Sequence, residues 1–180
     1  IIRRTRKNTN KISMQDTLEK ASIVWEFSKK NDGSFFVENA NHLPVLYFPL
    51  MNTAGMKSFV TPELKGDVCK DFHHYLTTPT VTEEIHRTVS SRNFWIKSKG
   101  LKPWSATGQS AFQKTHKWNG LKDTSSIEAS IGAFSTIRKQ EETSLETKIT
   151  TFIPEGKDFV EVLKITVTNT GETKQTFDPY

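Results

Sequence analysis

The stretch DFVEVLKITVTNTGETKQTF, residues 158–177, carries the strongest secondary-structure signal in the chain. Leu163, Ile165 and Val167 fall on one face of a strand, and the lysine and threonines between them fall on the other. The segment NTGE that follows, at 169–172, has the composition of a turn. The pattern therefore predicts a half-buried strand that ends in a turn, which is typical of antiparallel sheets.

Two preceding segments show the same period of two. Residues 125–142 are predicted to form one long strand, and residues 143–156 are predicted to contain another. Because short turns join these strands to the one described above, we predict an all-β domain built as an antiparallel β-sandwich with long loops and one short helix. The residues placed on one face are Ile127, Ala129, Ile131 and Ala133 in the first segment, and Leu145, Thr147, Ile149 and Thr151 in the second.

The N-terminal half adds a predicted hairpin. One strand ends near Phe27, a turn of Asn, Asp and Gly lies at 31–33, and a second strand begins at Phe35. The spacing of apolar residues within 17–27 permits a short helix, whereas its segment IVWEF favours a strand, and both alternatives stay open.

The middle of the chain is predicted to be irregular. Pro44, Pro49 and Pro62 cannot donate to a sheet ladder, so edge strands and loops are expected around them. Residues 73–88 are expected to form a long loop with one helical turn, which Thr82 would cap.

Length and charge indicate one β-sandwich domain with a basic extension. The chain has 180 residues, which suits a single domain, and 34% of them are hydrophobic. Much of the net charge of +5 lies near the N-terminus, so we predict a basic arm or linker at 1–16 and the sandwich at 17–180. The rest is nearly neutral, and no nucleic-acid partner is expected. The sequence begins with Ile1 and not with methionine, and it ends at Tyr180, shortly after a strongly predicted strand. We therefore expect a piece of a longer polypeptide, with the sandwich incomplete at its C-terminal end.

Cysteine usage and hydropathy favour a cytoplasmic protein. Cys69 is the single cysteine, so no disulfide can form within the chain, as suits a reducing compartment. No apolar run approaches the roughly 18 residues of a membrane span, and no membrane partner is expected.

No residue pattern predicts catalysis or a metal site. The five histidines lack the spacing of metal ligands. The carboxylate pairs Glu83–Glu84 and Glu141–Glu142 lie in polar runs, where solvated turns are the ordinary interpretation. The sequence also lacks a glycine-rich phosphate loop and a nucleophile elbow.

Tryptophans provide the remaining candidate site. Exposed indole rings stack on sugars, and neighbouring polar side chains can bond their hydroxyl groups. The alternative is that Trp95 packs in the core and Trp104 fixes a loop, which is the commoner use of such aromatics. The residues of the predicted surface are Arg92, Asn93, Trp95, Lys102, Trp104 and Gln109, of which Arg92 and Trp104 are the candidate carbohydrate or subunit contacts.

Three segments together resemble a known family. They are YFPLMNTAGMKSFVTPELKGD (47–67), SSRNFWIKSKGLKPWSATG (90–108) and KITTFIPEGKDFVEVLKITVTNTGETKQTFDPY (148–180). Their order and spacing are similar to the N-terminal β-sandwich region of glycoside hydrolase family 94, the inverting phosphorylases that include the cellobiose phosphorylases. Within that family they look closest to the branch that acts on 1,2-β-oligoglucans. The resemblance covers roughly residues 35–180.

The resemblance implies a non-catalytic domain of a larger enzyme. In such enzymes a helical barrel follows an N-terminal β-supersandwich. They cleave β-glucosides with inorganic phosphate and release α-glucose 1-phosphate with inversion of the anomeric carbon. They need no metal or organic cofactor, and their catalytic aspartate lies in the barrel. The expected partners are therefore a β-linked gluco-oligosaccharide, the barrel of the same polypeptide and a second copy in a homodimer. The chain alone is expected to be inactive. The alternative function is a stand-alone carbohydrate-binding module.

Overall fold

The computed structural model describes residues 22–43, 46–81, 83 and 92–180. In this part of the chain, thirteen strands form three antiparallel sheets beside one α-helix, which confirms the predicted all-β, sandwich-like fold. The predicted basic arm at 1–16, Pro44, the predicted cap Thr82, Glu84 and His86 lie outside the described residues. No helix among the described residues has the length and apolar character that crossing a membrane requires.

The three sheets differ in size. The six-stranded sheet has the order β1-β2-β9-β10-β11-β12, the four-stranded sheet β3-β4-β5-β6, and the three-stranded sheet β13-β7-β8. The bounds are β1 (Val24–Phe27), β2 (Phe35–Glu38), β3 (Phe48–Met51), β4 (Lys57–Val60), β5 (Val68–Asp71), β6 (His74–Tyr75), β7 (Trp95–Ser98), β8 (Trp104–Ser105), α1 (Ala111–Trp118), β9 (Ser126–Ser130), β10 (Ala133–Gln140), β11 (Leu145–Phe152), β12 (Val162–Asn169) and β13 (Phe177–Pro179).

The N-terminal hairpin forms as predicted. β1 and β2 pair antiparallel with Phe27 opposite Phe35, and Gly33 takes a φ of 75° in the turn between them. Val24–Phe27 is a strand. Of the helix and strand alternatives for residues 17–27, the strand therefore holds in the part that the structure describes. Trp25 stacks on Phe35 with 4.8 Å between ring centroids, and this aromatic pair stabilises the strand arrangement.

The prediction of one long strand over residues 125–142 was wrong. The segment divides into β9 and β10, which pair with each other through a two-residue turn at Ile131 and Gly132. Gly132 has a φ of 80°, which glycine adopts without steric cost, and Ile131 is 88% exposed at the tip. The predicted strand ran straight through Ile131 and Gly132, whereas the chain reverses there. Ile131 therefore does not share the buried face of Ile127.

The hydrophobic core lies between the six-stranded and four-stranded sheets. Ile127 and Phe134 contribute from the first sheet, and Leu50 and Val60 contribute from the second. Phe48 meets Phe134 across the two layers with ring centroids 5.4 Å apart. On β11 the predicted face of Leu145, Thr147, Ile149 and Thr151 is buried along its whole length, as the alternation indicated.

β12, the strand with the strongest sequence signal, lies at one edge of the six-stranded sheet. Its register places Ile165 opposite Ile149, on the face that is buried in β11. Ile149 has no exposed surface, whereas Ile165 is 39% exposed. The apolar face of the sheet therefore continues onto an edge strand that is only partly covered.

Candidate functional site

Helix α1 forms one wall of the candidate site. The Ser110 side chain accepts a hydrogen bond from the backbone N–H of Gln113, and the Gln113 side chain accepts one from the backbone N–H of Ser110. This capping box fixes where the helix begins. Sequence reasoning placed the short helix elsewhere, although the spacing Ser-x-x-Gln at 110–113 was a usable signal.

Trp104 stands on the β7–β8 hairpin beside α1. Trp104 pairs with Ile96, which is completely buried, so the Ile96 face of β7 is the core face. Trp95 lies on the other face and is half-buried. A small polar network holds the hairpin: the hydroxyls of Ser105 and Thr107 donate to Oδ1 of Asn93 over 3.0 and 2.8 Å. These hydrogen bonds hold together the hairpin that carries Trp104.

A cavity of about 390 Å³ opens between this hairpin, α1 and the end of β10. Its size falls within the roughly 300–1,000 Å³ of small-molecule sites. We call it the Trp104 pocket. Its lining combines aromatic rings, proline and glycine backbone, and both positively and negatively charged side chains. The lining includes Lys102, Trp104, Phe112, His116, Lys122, Asp123, Arg138, Lys139, Glu141 and Glu142.

The aromatic part of the pocket is partly exposed. Trp104 packs against the hydrophobic core while also lining the cavity. From α1, Phe112 and His116 approach each other with ring centroids 4.5 Å apart, and Phe112 is 64% exposed. Rings from two elements therefore border the same cavity, with apolar surface left open for a ligand.

The polar part of the pocket centres on Arg138. Its Nη2 donates to Oδ1 of Asn41 over 2.5 Å, and its Nη1 lies 3.7 Å from Oδ2 of Asp123. Asn41 in turn donates to Asp123 over 2.7 Å. Burial lowers the pKa of the Arg138 guanidinium, and the carboxylates of Asp123 and Glu63 oppose that effect.

Arg92, one of the two predicted contacts, lies in the interior, away from the pocket. Its side chain is 4% exposed and forms an ion pair with Glu161, with Nε 2.7 Å from Oε2. It also donates to the Ser58 hydroxyl over 3.0 Å and to the carbonyl of Gly66 over 3.1 Å. We call Arg92, Glu161 and Ser58 the Arg92 cluster. Its burial argues against a direct sugar contact by Arg92, because the guanidinium is engaged by the protein itself.

The structure brings only part of the predicted tryptophan surface together. Lys102 and Trp104 line one pocket. Asn93 serves the hairpin network, and Gln109 donates to Glu63 over 3.3 Å. The missed residues Phe112, His116 and Arg138 come from α1 and β10, whose approach to the hairpin is a tertiary effect.

Histidines and carboxylates of the described residues form no metal centre: no group of three or more potential ligands comes together there. His42 Nε2 lies 2.8 Å from the carbonyl oxygen of Leu121, and His74 pairs with Asp71. Glu141 and Glu142 are exposed at the rim of the pocket, in the turn after β10. Cys69 is buried, and burial raises the pKa of its thiol, which disfavours the reactive thiolate.

Comparison with known proteins leaves the family open. No protein-family model matches the chain, and a search of curated proteins gives no match. The resemblance to the phosphorylases stays a prediction.

Proposed function

We propose that this chain is a non-catalytic β-sandwich domain that contacts a β-linked gluco-oligosaccharide through the Trp104 pocket. The observation that carries the proposal is the placement of an indole ring in a 390 Å³ cavity bordered by polar groups of both charges. An aromatic surface suits the apolar face of a sugar ring, and mixed donors and acceptors suit its hydroxyl groups.

The setting we propose is the N-terminal domain of an inverting β-glucan phosphorylase. The support is the resemblance of three segments, together with the antiparallel sandwich that such a domain requires. In this setting the domain guides substrate and supports the helical barrel and the homodimer. The barrel carries the catalysis, inorganic phosphate is the co-substrate, and no organic cofactor or metal takes part. We also propose a cytoplasmic location, in keeping with the single free thiol of Cys69.

Calorimetric titration with a β-1,2-linked gluco-oligosaccharide tests the binding function. We expect Trp104→Ala to abolish binding, because the variant removes the aromatic surface of the pocket. The matched control is Trp118→Ala: Trp118 is 89% exposed at the end of α1 and does not line the pocket. No binding by the unaltered chain to any of several β-linked glucans would refute the proposal.

Phosphorolysis tests the enzymatic setting separately. The chain alone, incubated with the oligosaccharide and inorganic phosphate, is expected to release no glucose 1-phosphate. The longer polypeptide that contains it is expected to release that product. Failure of the longer polypeptide on several β-linked glucans, with binding by the chain retained, would leave the binding module as the function.

A further inference from the structure

Helix α1 brings an accessible aromatic ring to the Trp104 pocket. Phe112 lines the pocket with 64% of its surface exposed, so a ligand in the cavity can reach the ring. Trp104 lines the same pocket but also packs against the hydrophobic core, whereas no residue of α1 is buried. Packing in the core therefore accounts for the position of Trp104 but not for that of Phe112.

Two other side chains hold α1 against the rest of the domain. Gln113 Nε2 donates to a backbone carbonyl of β8 over 2.9 Å, and Lys117 forms an ion pair with Glu63. Gln113 and Lys117 are four residues apart, so they lie on the same side of the helix. Phe112 and His116 are also four residues apart, and they lie about 100° around the helix axis from that side. Contacts that the two rings do not make themselves therefore set the position of both rings in the pocket lining.

The rings of Phe112 and His116 form one aromatic surface. Their centroids lie 4.5 Å apart, and their planes are inclined by 40°. A neutral imidazole adds one hydrogen-bond donor and one acceptor to this surface. An aromatic face beside polar ring nitrogens suits a sugar residue, which has an apolar face and hydroxyl groups around it.

The size and charge of the pocket suit an uncharged ligand of more than one sugar residue. Its volume of about 390 Å³ is in the range of sites for drug-sized molecules, which are larger than a single hexose. The exposed charges of its lining nearly balance, and they belong to Lys102, Lys122, Lys139, Glu141 and Glu142. Aromatic surfaces from two different elements, the hairpin and α1, offer one contact to each of two neighbouring sugar residues.

We propose that Phe112, with His116 beside it, forms a second aromatic subsite of the pocket, which binds the sugar residue next to the one that lies against Trp104. This inference rests on the proposed sugar-binding function. It makes Phe112 a specificity-determining residue for the length of the ligand, since the second sugar residue gains affinity only through this subsite.

Affinity as a function of ligand length tests the inference. NMR titrations of the chain with methyl β-glucoside and with a β-1,2-linked glucose disaccharide measure what the second sugar residue adds. We expect the unaltered chain to bind the disaccharide at least about tenfold more tightly than the monosaccharide. In Phe112→Ala we expect this gain to disappear while the affinity for methyl β-glucoside is unchanged. Phe72→Ala is the matched control and is expected to retain the gain, because Phe72 is 76% exposed and lies outside the pocket.

Two further variants separate the aromatic ring from its apolar bulk. Phe112→Tyr keeps the ring and is expected to retain the gain, whereas Phe112→Leu keeps an apolar side chain without a ring and is expected to lose most of it. A gain retained by Phe112→Ala would overturn the inference and leave the proposed function standing. Equal loss of affinity for both ligands in this variant would also overturn it, because Phe112 and Trp104 would then share one subsite. If the unaltered chain binds neither these ligands nor longer β-linked glucans, the inference and the proposed function are overturned together.

Discussion

The Arg92 cluster and the Trp104 pocket each contain a buried arginine, and the two arginines differ in one respect. All three nitrogens of the Arg92 guanidinium donate to protein oxygens. In Arg138 the two terminal nitrogens are engaged, whereas Nε has no partner among the described residues. The Arg92 guanidinium joins parts of the fold through a full set of hydrogen bonds, whereas Arg138 stands behind the wall of a cavity with one donor left over among the described residues. Burial alone does not distinguish the two arginines, but the complement of hydrogen bonds does.

The strongest test of this comparison is Arg92→Met. The change leaves Glu161 buried without its cation, and we expect a loss of about 3–5 kcal/mol in the free energy of unfolding, measured by chemical denaturation. The double variant Arg92→Met/Glu161→Leu removes both charges and is expected to recover much of that loss. A single variant that is as stable as the unaltered chain would show that the cluster is not structural.

A smaller effect is expected from Gly108→Ala. Gly108 has a φ of 79°, and the added Cβ would meet the Arg138 guanidinium at 2.9 Å. We expect a loss of about 1–3 kcal/mol in stability from the left-handed backbone conformation, with weaker oligosaccharide binding because the guanidinium is displaced. Gly132→Ala is the matched control, since Gly132 has a φ of 80°, lies outside the pocket, and has no atom within 4 Å of the place its added Cβ would take. If both variants bind equally well, the approach of Gly108 to Arg138 has no role in recognition.

The smallest effect is a pH dependence that originates at Glu63, between the two regions. Burial opposes the ionisation of Glu63, but Lys117 and Lys65 outweigh it and hold its pKa below the usual 4.5. A carboxyl whose pKa is lower in the folded state stabilises that state above the unfolded pKa, and this stability is lost as the pH falls through the folded value. We therefore expect the free energy of unfolding to fall below about pH 4.5. Glu63→Gln is expected to flatten part of this slope in denaturation curves measured at several pH values, and an unaltered slope would exclude Glu63 as its source.

The contrast between the two arginines also shows where sequence reasoning succeeds. Alternation in β11 correctly predicted its buried face, because every second residue of that strand points into one core. In β10 the same logic favours Ile137 as the inward residue, yet Arg138 is the buried one. The chain tolerates this because Asn41, which lies 97 residues earlier in the sequence, and Asp123 meet the guanidinium.

Helix α1 was missed for a related reason. The helix has only eight residues, about two turns, so a helical period has little length in which to show, and the capping box is the clearest sequence signal of its start. The candidate site thus depends on elements whose sequence signal is weak, while the scaffold depends on strands whose signal is strong. Trp104 was predicted from its residue type, and its companions Phe112 and Arg138 required the tertiary structure.

The edge position of β12 has a consequence for amide hydrogen exchange. The backbone N–H of Thr170 donates to the carbonyl of Ser144, so the amides of Lys164, Thr166 and Thr168 point in the same direction, towards β11. Those of Ile165 and Val167 point towards the open edge. Protection from exchange along this strand should therefore alternate from one residue to the next, whereas the central strand β11 should be protected at every position. The period of two that predicts the strand from the sequence should thus also appear in its exchange rates, with fast-exchanging and slow-exchanging amides alternating along β12.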